Sequence, residues 1–572
     1  MTPALQSLAS IGVTPAPLNL RVAHRRPAPP TSAGAHPRLR RSRVTPRSCT
    51  AGIVPCTAGS RPARPPGWCG SPGDGRRLVA REGSIATPPA AMASPAWRLS
   101  ALSASDAADG RRKASASDDD ALFAGLDFGT SSARACVVDA SGDVVIETTA
   151  AYPPIVDGGK GGDGVPEGGW AEAWRGALWA LLDAMPEEVR ARIAAISVDG
   201  TSGTVLIVDG ASGDPLCPPM MYNEKRVDAM PAVEEMAPEG HTVRSATSAL
   251  CKLHSWWTAG GGAGRPGARL LHHADWVAYL LHGEMGVTDH NNALKLGFDP
   301  GAGGPGGEGA YPDWLTSAAY AEMLPPRVLP PGSVVGSVST AAGVERLGAG
   351  AKVVAGTTDS VAAFCAARCT QPGDAVTSLG SSLALKLVSE TRVDDSGKGV
   401  YSHRLCGNWL VGGASNLGGW VLRSNFSNDE LVALTDELDL EAEEASKREG
   451  EPVEIPDYYP GALLGFGLSV EEATAALTPR PEKDVDFLRA ILGSIAGVEA
   501  RSYQALVDMG ASQPVRRVFT AGGGAKNDKW SAIRSKAMNG VPVSMSPYAE
   551  AAYGTALLAR MGHYGLPTYV PE

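Results

Sequence analysis

Long apolar runs are absent from this 572-residue chain. No stretch of 18 uncharged apolar residues occurs, so no transmembrane helix is expected. The nine cysteines include no C-x-x-C pair and no histidine partner at zinc spacing. That excludes a disulfide framework and a structural zinc site, and points to a reducing compartment. Positive charge is in deficit: 51 Lys and Arg stand against 61 Asp and Glu, a net charge of −10. A nucleic-acid binder working through a broad basic surface is thereby excluded. What is present is a globular balance, 43% apolar and 20% charged, in a chain too long for one ordinary domain.

Lysine is also missing from residues 1–100, and acids nearly so. That stretch holds 14 Arg, 16 of the 44 prolines and ten serines, with Asp74 and Glu82 as its acids. An Arg- and Ser-rich, acid-poor leader without a continuous apolar stretch reads as an organelle transit peptide. Repeated proline prevents a long amphipathic helix, which favours plastid over mitochondrial import. The alternative is a basic arm that binds anionic surfaces. Without the leader, the remaining chain carries a charge near −22.

Ordered patterning begins at Leu122. Leu122–Phe128, Arg134–Asp139 and Val144–Thr148 read as a meander of short strands. Trp170, Trp174, Leu178, Leu181 and Leu182 follow helical spacing, and Ile193–Val198 reads as a buried strand. A second block of the same grammar runs through Lys352–Ala355, Ala375–Ser378 and Val515–Thr520. Two Gly-rich inserts, Gly260–Gly267 and Gly301–Gly309, read as surface loops. Strand-to-glycine junctions in both blocks predict two α/β domains facing each other across a cleft.

Four such junctions carry the candidate chemistry: Gly129–Ser132, Gly200–Gly203, Gly380–Ser382 and Gly522–Gly524. Backbone N–H groups and hydroxyls at a tight bend make a concave anion site. None of the four fits the G-x-x-x-x-G-K-[ST] or G-x-G-x-x-G pattern, which disfavours P-loop, dinucleotide-binding and protein-kinase sites. Asp127 and Asp359 each end a strand beside a glycine turn. A carboxylate there can hold Mg²⁺ through water, accept the proton of an attacking hydroxyl, or merely cap the turn. Folding is expected to bring the two acids to opposite lips of one nucleotide-filled gap. His254, His272, His273, Trp256, Trp257 and Trp276 read as core or surface residues, and Cys365 with Cys369 as a packed pair. Lys252 is assigned no catalytic role.

Leu126–Arg134 resembles the first phosphate motif of FGGY carbohydrate kinases, in the actin/hexokinase-like ATPase superfamily. Ala355–Ser360 resembles that family's catalytic segment, Ala521–Asn527 its adenosine motif and Ala551–Ala556 its closing helix. Asp199–Thr204, Met221–Arg226, Asp289-x-x-Asn292-Ala293 and Leu477–Pro481 are most similar to the plastid and cyanobacterial D-ribulose kinase branch. Thr201-Ser202-Gly203 stands where typical xylulokinases carry Gln-Met-His. Glu224-Lys225-Arg226 departs from the family's Asp-x-Arg, and Gly461–Ala475 departs at a lid or nucleotide-side loop.

The resemblance implies an α/β fold of two actin-like (ribonuclease H-like) domains around a central nucleotide/sugar cleft. The implied divisions are a leader at 1–118, a sugar-side domain at 119–366, a nucleotide-side domain at 367–548 and a closing helix at 549–572. It implies ATP and Mg²⁺ as cofactors. Asp359 becomes the base, while Asp127 contacts the sugar or organises Mg²⁺. Ser202 touches the sugar; Thr130, Ser131, Gly380 and Ser381 line the phosphates; Gly523, Gly524 and Asn527 sit at the adenosine. The implied substrate is a small pentulose, D-ribulose first, with D-xylulose or another polyol as alternatives. No nucleic-acid, membrane or protein partner is implied. A chaperone-type ATPase and a catalytically reduced sugar-binding protein are the readings of other classes.

Overall fold

The structure, a computed structural model, describes residues 120–157, 164–261, 265–304, 307–448, 455–465 and 468–571. The stretch read as a transit peptide lies outside the described residues, as does part of each Gly-rich insert. No helix among the described residues is long and apolar enough to cross a membrane.

Two six-stranded sheets organise the fold. The first contains β1 (Leu122–Phe128), β2 (Ser132–Val138), β3 (Val144–Ala151), β4 (Ile193–Gly200), β5 (Val334–Ser337) and β6 (Lys352–Val354), in the order β5-β6-β4-β1-β2-β3. The meander β1-β2-β3 is antiparallel, while β1, β4 and β6 run parallel. The second contains β7 (Asp374–Leu379), β8 (Leu383–Ser389), β9 (Tyr401–Leu405), β10 (Asn408–Ser415), β11 (Arg517–Ala521) and β12 (Val543–Met545), ordered β9-β10-β8-β7-β11-β12. Here too an antiparallel hairpin opens the sheet, and parallel strands continue it on the other side. Each opening hairpin is closed by a glycine amide that donates to a serine carbonyl: Gly129 to Ser132 O at 3.2 Å, and Gly380, in a loop one residue shorter, to Ser382 O at 3.0 Å. The fold is thus α/β with two halves of one design.

Helix Trp170–Asp183 buries Trp174, Leu178, Leu181 and Leu182 against the first sheet, as its spacing predicts. Strand Val205–Asp209 lies outside that sheet and pairs antiparallel with Ala268–His272. In the second half, helix Asp484–Asp508 buries one long apolar face. Within that core Arg534 Nε donates to Glu499 Oε2 at 2.6 Å and Nη2 to Oε1 at 2.7 Å, both residues 1% exposed. The last helix, Ala551–Tyr564, packs on β1 and on helix Asp359–Ala366 in the first half. Its small residues permit this contact: a methyl group at Gly554 would lie 1.9 Å from Ala362 O.

Candidate active site

Three acids gather at the carboxyl ends of the parallel strands of the first sheet. Asp127 and Asp199 are the penultimate residues of β1 and β4 and stand opposite each other in register. Asp359 follows β6 and opens helix Asp359–Ala366, and the preceding Thr358 bridges to Gly200. The expectation of opposite lips is therefore corrected. Parallel β1, β4 and β6 deliver both Asp127 and Asp359 to one edge of the first half.

Asp127 and Asp199 hydrogen-bond carboxyl to carboxyl, and burial raises both above the usual carboxylate range. Asp199 also accepts from Thr555 of the last helix. Asp359 is 1% exposed and accepts from the Ser360 amide at 2.6 Å. Its place at the start of a helix sets the carboxylate against the positive end of the helix dipole.

Ser202 sits in the tight turn Thr201–Thr204, closed by the Thr204 amide donating to Thr201 O at 3.2 Å. Its third residue, Gly203, has a φ of 83°, the left-handed value that a type II turn needs there and that glycine adopts freely. The turn is braced twice from below. His273 Nδ1 accepts from the Thr201 amide at 3.3 Å, with its ring packed at a tilt against Trp174 at 3.9 Å between centroids. Lys252, wholly buried, donates to Gly203 O at 2.7 Å and to Tyr222 O at 3.4 Å. Glu224 does reach Arg226, at 2.9 Å, as the variant Glu-Lys-Arg segment allows. Beside this turn lies a cavity of about 280 Å³ whose walls include Ser245, Thr247 and Lys295 from the first half and Tyr401 from the second.

The remaining predicted residues divide between two places. Thr130 and Ser131 line a small cavity with Asp127, next to the Arg134–Glu550 ion pair. Gly380, Gly523, Gly524 and Asn527 line a separate cavity of about 400 Å³ in the second half. Asn527 is held there by its own helix, accepting from the Trp530 amide at 2.8 Å. Ser381 lies outside that lining and accepts from Arg423 at 2.8 Å.

Residues 375–563 match the C-terminal domain of the FGGY family of carbohydrate kinases. An FGGY carbohydrate-kinase C-terminal domain is thus present at those residues. It is 30% identical over 301 residues to a xylulose kinase of Streptomyces coelicolor, a match covering 50% of this chain and 59% of that relative. It is 25% identical over 463 residues to a glycerol kinase of Gloeobacter violaceus, covering 76% of this chain and 87% of the relative. In fold it resembles the xylulose kinase of Bifidobacterium adolescentis, with a TM-score of 0.58 and 19% identity over 78% of this chain and 94% of that one.

The FGGY domain match makes ATP and Mg²⁺ the cofactors to test against the site. The 400 Å³ cavity, with glycine-turn amides on its wall, fits a nucleotide. Asp199 Oδ1 is buried and meets no donor apart from the proton it shares with Asp127. Two abutting carboxyl groups suit a cation that keeps most of its water, so Asp127 and Asp199 would hold Mg²⁺. Bound there, the ion would neutralise phosphate charge.

Sequence reasoning missed several residues of this site. Asp199 is a strand-end acid like Asp127 and could have been found by the same rule. Lys295, Lys386 and His403 gave no local signal, because each meets Asp359 or its neighbours only through the tertiary fold. Asn291 also escaped notice. Its Nδ2 donates to Thr357 Oγ1 and to Arg404 O, both at 3.0 Å, and its Oδ1 accepts from the Arg404 amide at 2.9 Å. It thereby ties the segment before Asp359 to a strand of the second half. At the departing stretch Gly461–Ala475, Ala462 and Leu464 are buried in the second core, and Ser469 caps helix Val470–Ala475. Those residues are packed structure rather than a free lid; Phe466 and Gly467 lie outside the described residues.

Proposed function

We propose that this FGGY protein is an ATP-dependent pentulose kinase that converts D-ribulose to D-ribulose 5-phosphate. One observation carries the reading: Lys295 and Thr247, two walls of the 280 Å³ cavity, lie 3.5 Å from where a methyl group on Gly203 would sit, next to Ser202. The acceptor occupies that cavity, with Ser202 and Asp359 contacting it. The nucleotide occupies the 400 Å³ cavity, with its phosphates reaching Thr130, Ser131, Gly380 and Ser381. Asp359 accepts the proton of the acceptor hydroxyl as its oxygen attacks the γ-phosphorus in line. The short Thr201-Ser202-Gly203 turn, in place of Gln-Met-His, supports D-ribulose over D-xylulose. The composition of residues 1–100 supports work in the plastid stroma.

The test is ADP release with D-ribulose, D-xylulose, L-ribulose, ribitol and glycerol. A kcat/KM for D-ribulose at least tenfold above every other acceptor is expected. Preference for another acceptor removes the D-ribulose assignment. Stabilisation by sugar without turnover favours the sugar-binding protein.

A further inference from the structure

The 400 Å³ cavity of the second half has two cations on its wall, Arg423 and Lys526, against one acid, Asp436. Arg423 ends the short helix Gly419–Arg423, which is stitched to the Gly380–Ser382 turn between β7 and β8. The Gly419 amide donates to Gly380 O at 2.8 Å, and the Trp420 amide to Ser381 O at 3.2 Å. Arg423 adds a side-chain bond to the same turn, its Nη2 donating to Ser381 Oγ at 2.8 Å. Its Nη1 stands 3.1 Å from where a methyl group on Gly419 would sit, so the guanidinium lies close over the junction. The residue as a whole stays exposed and on the cavity wall. The acid is placed elsewhere. Asp436 follows Thr435, whose Oγ1 accepts from Asn527 Nδ2 at 3.2 Å. Among the described residues, therefore, no carboxylate lining the cavity is tied to its Gly380 end, where the guanidinium is held. A guanidinium has five N–H donors in a planar fork, a shape that matches phosphate oxygens. Ser381 Oγ accepts from Arg423 and keeps its own proton for a further acceptor.

We propose that Arg423 binds the phosphate chain of the nucleotide, with Ser381 positioning its guanidinium. The proposal rests on the kinase reading in taking a nucleoside di- or triphosphate as the occupant of this cavity. Arg423 donates hydrogen bonds to phosphate oxygens and transfers no proton. It is fixed to the second half together with the Gly380 turn, so it serves ATP and ADP alike. Its contribution is to nucleotide binding in the ground state and the transition state equally, not to the transfer step.

The test titrates ADP and adenosine calorimetrically into the full chain and its variants Arg423→Met, Arg423→Lys and Ser381→Ala. Arg327→Met is the control, since that guanidinium pairs with Glu284 in the first half. Arg423→Met should bind ADP about 10- to 100-fold more weakly, the scale of a hydrogen bond to a charged group, and adenosine within about threefold of wild type. Arg423→Lys should recover part of the loss, because it keeps the charge without the fork. Adding Ser381→Ala to Arg423→Met should cost less than the sum of the single losses, because the two share one bond. In turnover, KM for ATP should rise while kcat stays within about threefold. Unchanged ADP affinity in Arg423→Met, or an equal loss for adenosine, overturns the proposal and leaves the kinase reading standing. Additive losses remove Ser381 as the positioning residue. Arg423-dependent ADP binding in a protein that phosphorylates no acceptor keeps the phosphate contact and removes the kinase reading. Should Arg423→Met fail to fold, Arg423→Gln is judged by the same criteria. Wild-type protein that binds neither ADP nor ATP overturns both.

Discussion

Replacing Asn291 by leucine tests how the two halves of the fold are coupled at the reacting centre. Leucine keeps the branched outline, with two bulkier methyl groups, and removes all three bonds to Thr357 and Arg404. Asn291 is 1% exposed and Thr357 0%, so water cannot replace the amide at the Thr357 hydroxyl. A buried polar group left unpaired costs about 1–3 kcal/mol. Arg404 is only half-buried, so its two backbone groups fall at the low end of that range. The sum is about 3 kcal/mol of stability. Function should suffer separately, since Thr357 lies two residues before Asp359. A slip of about 1 Å at a reacting group costs on the order of 10²-fold. Urea unfolding and kcat, measured well below the melting temperature, read the two effects. Thr357→Val should cost about 1 kcal/mol, and the double variant should lose less than the sum of the singles, because both remove one shared bond. A leucine variant within 0.5 kcal/mol of wild type and unchanged in kcat would refute the coupling.

Two further outcomes are expected. His273 is pulled down to about 3 by burial, whereas the unfolded chain binds a proton at the ordinary 6.5. Its neutral form therefore adds stability above pH 6.5, lost as pH falls towards 3, with a slope of about 1.4 kcal/mol per pH unit. Asp289, raised to about 6, acts in the opposite sense between pH 6 and 3.8. The comparison must thus be wild type against His273→Gln, whose urea midpoint should be the less acid-sensitive between pH 6 and 5; equal slopes would contradict it. Arg534→Met strands the buried Glu499 and should cost about 3–5 kcal/mol, while Arg534→Met with Glu499→Leu should recover most of that loss. A double variant as weak as the single would show that the pair itself stabilises the core.

Local rules reached most of the framework because its signals are local. Alternating apolar runs broken by Asp-Gly and Gly-Thr turns marked β1 to β4, and the 3–4 spacing of Trp170 to Leu182 marked a helix. The same rules could not say which strands pair. Val205–Asp209 reads like its neighbours but pairs with Ala268–His272, a choice made by packing. At the site, a strand-end acid beside a glycine turn is visible in sequence, so Asp127 and Asp359 were found. Their placement on one edge depends on β1, β4 and β6 all running parallel, which no short window encodes. Lys386 looks like an ordinary polar residue in an alternating strand until the fold buries it. Asn291 looks like a helix-start residue, and only tertiary packing brings Arg404 within its reach, 113 positions away.

The most direct test of the account is sugar-dependent ADP release by Asp359→Asn, which keeps the shape of the side chain and removes its ability to take a proton. Turnover lower by about 10²–10⁴, with acceptor and ADP binding retained, is the result the account predicts. Turnover within a few fold of wild type would contradict it and remove Asp359 as the base.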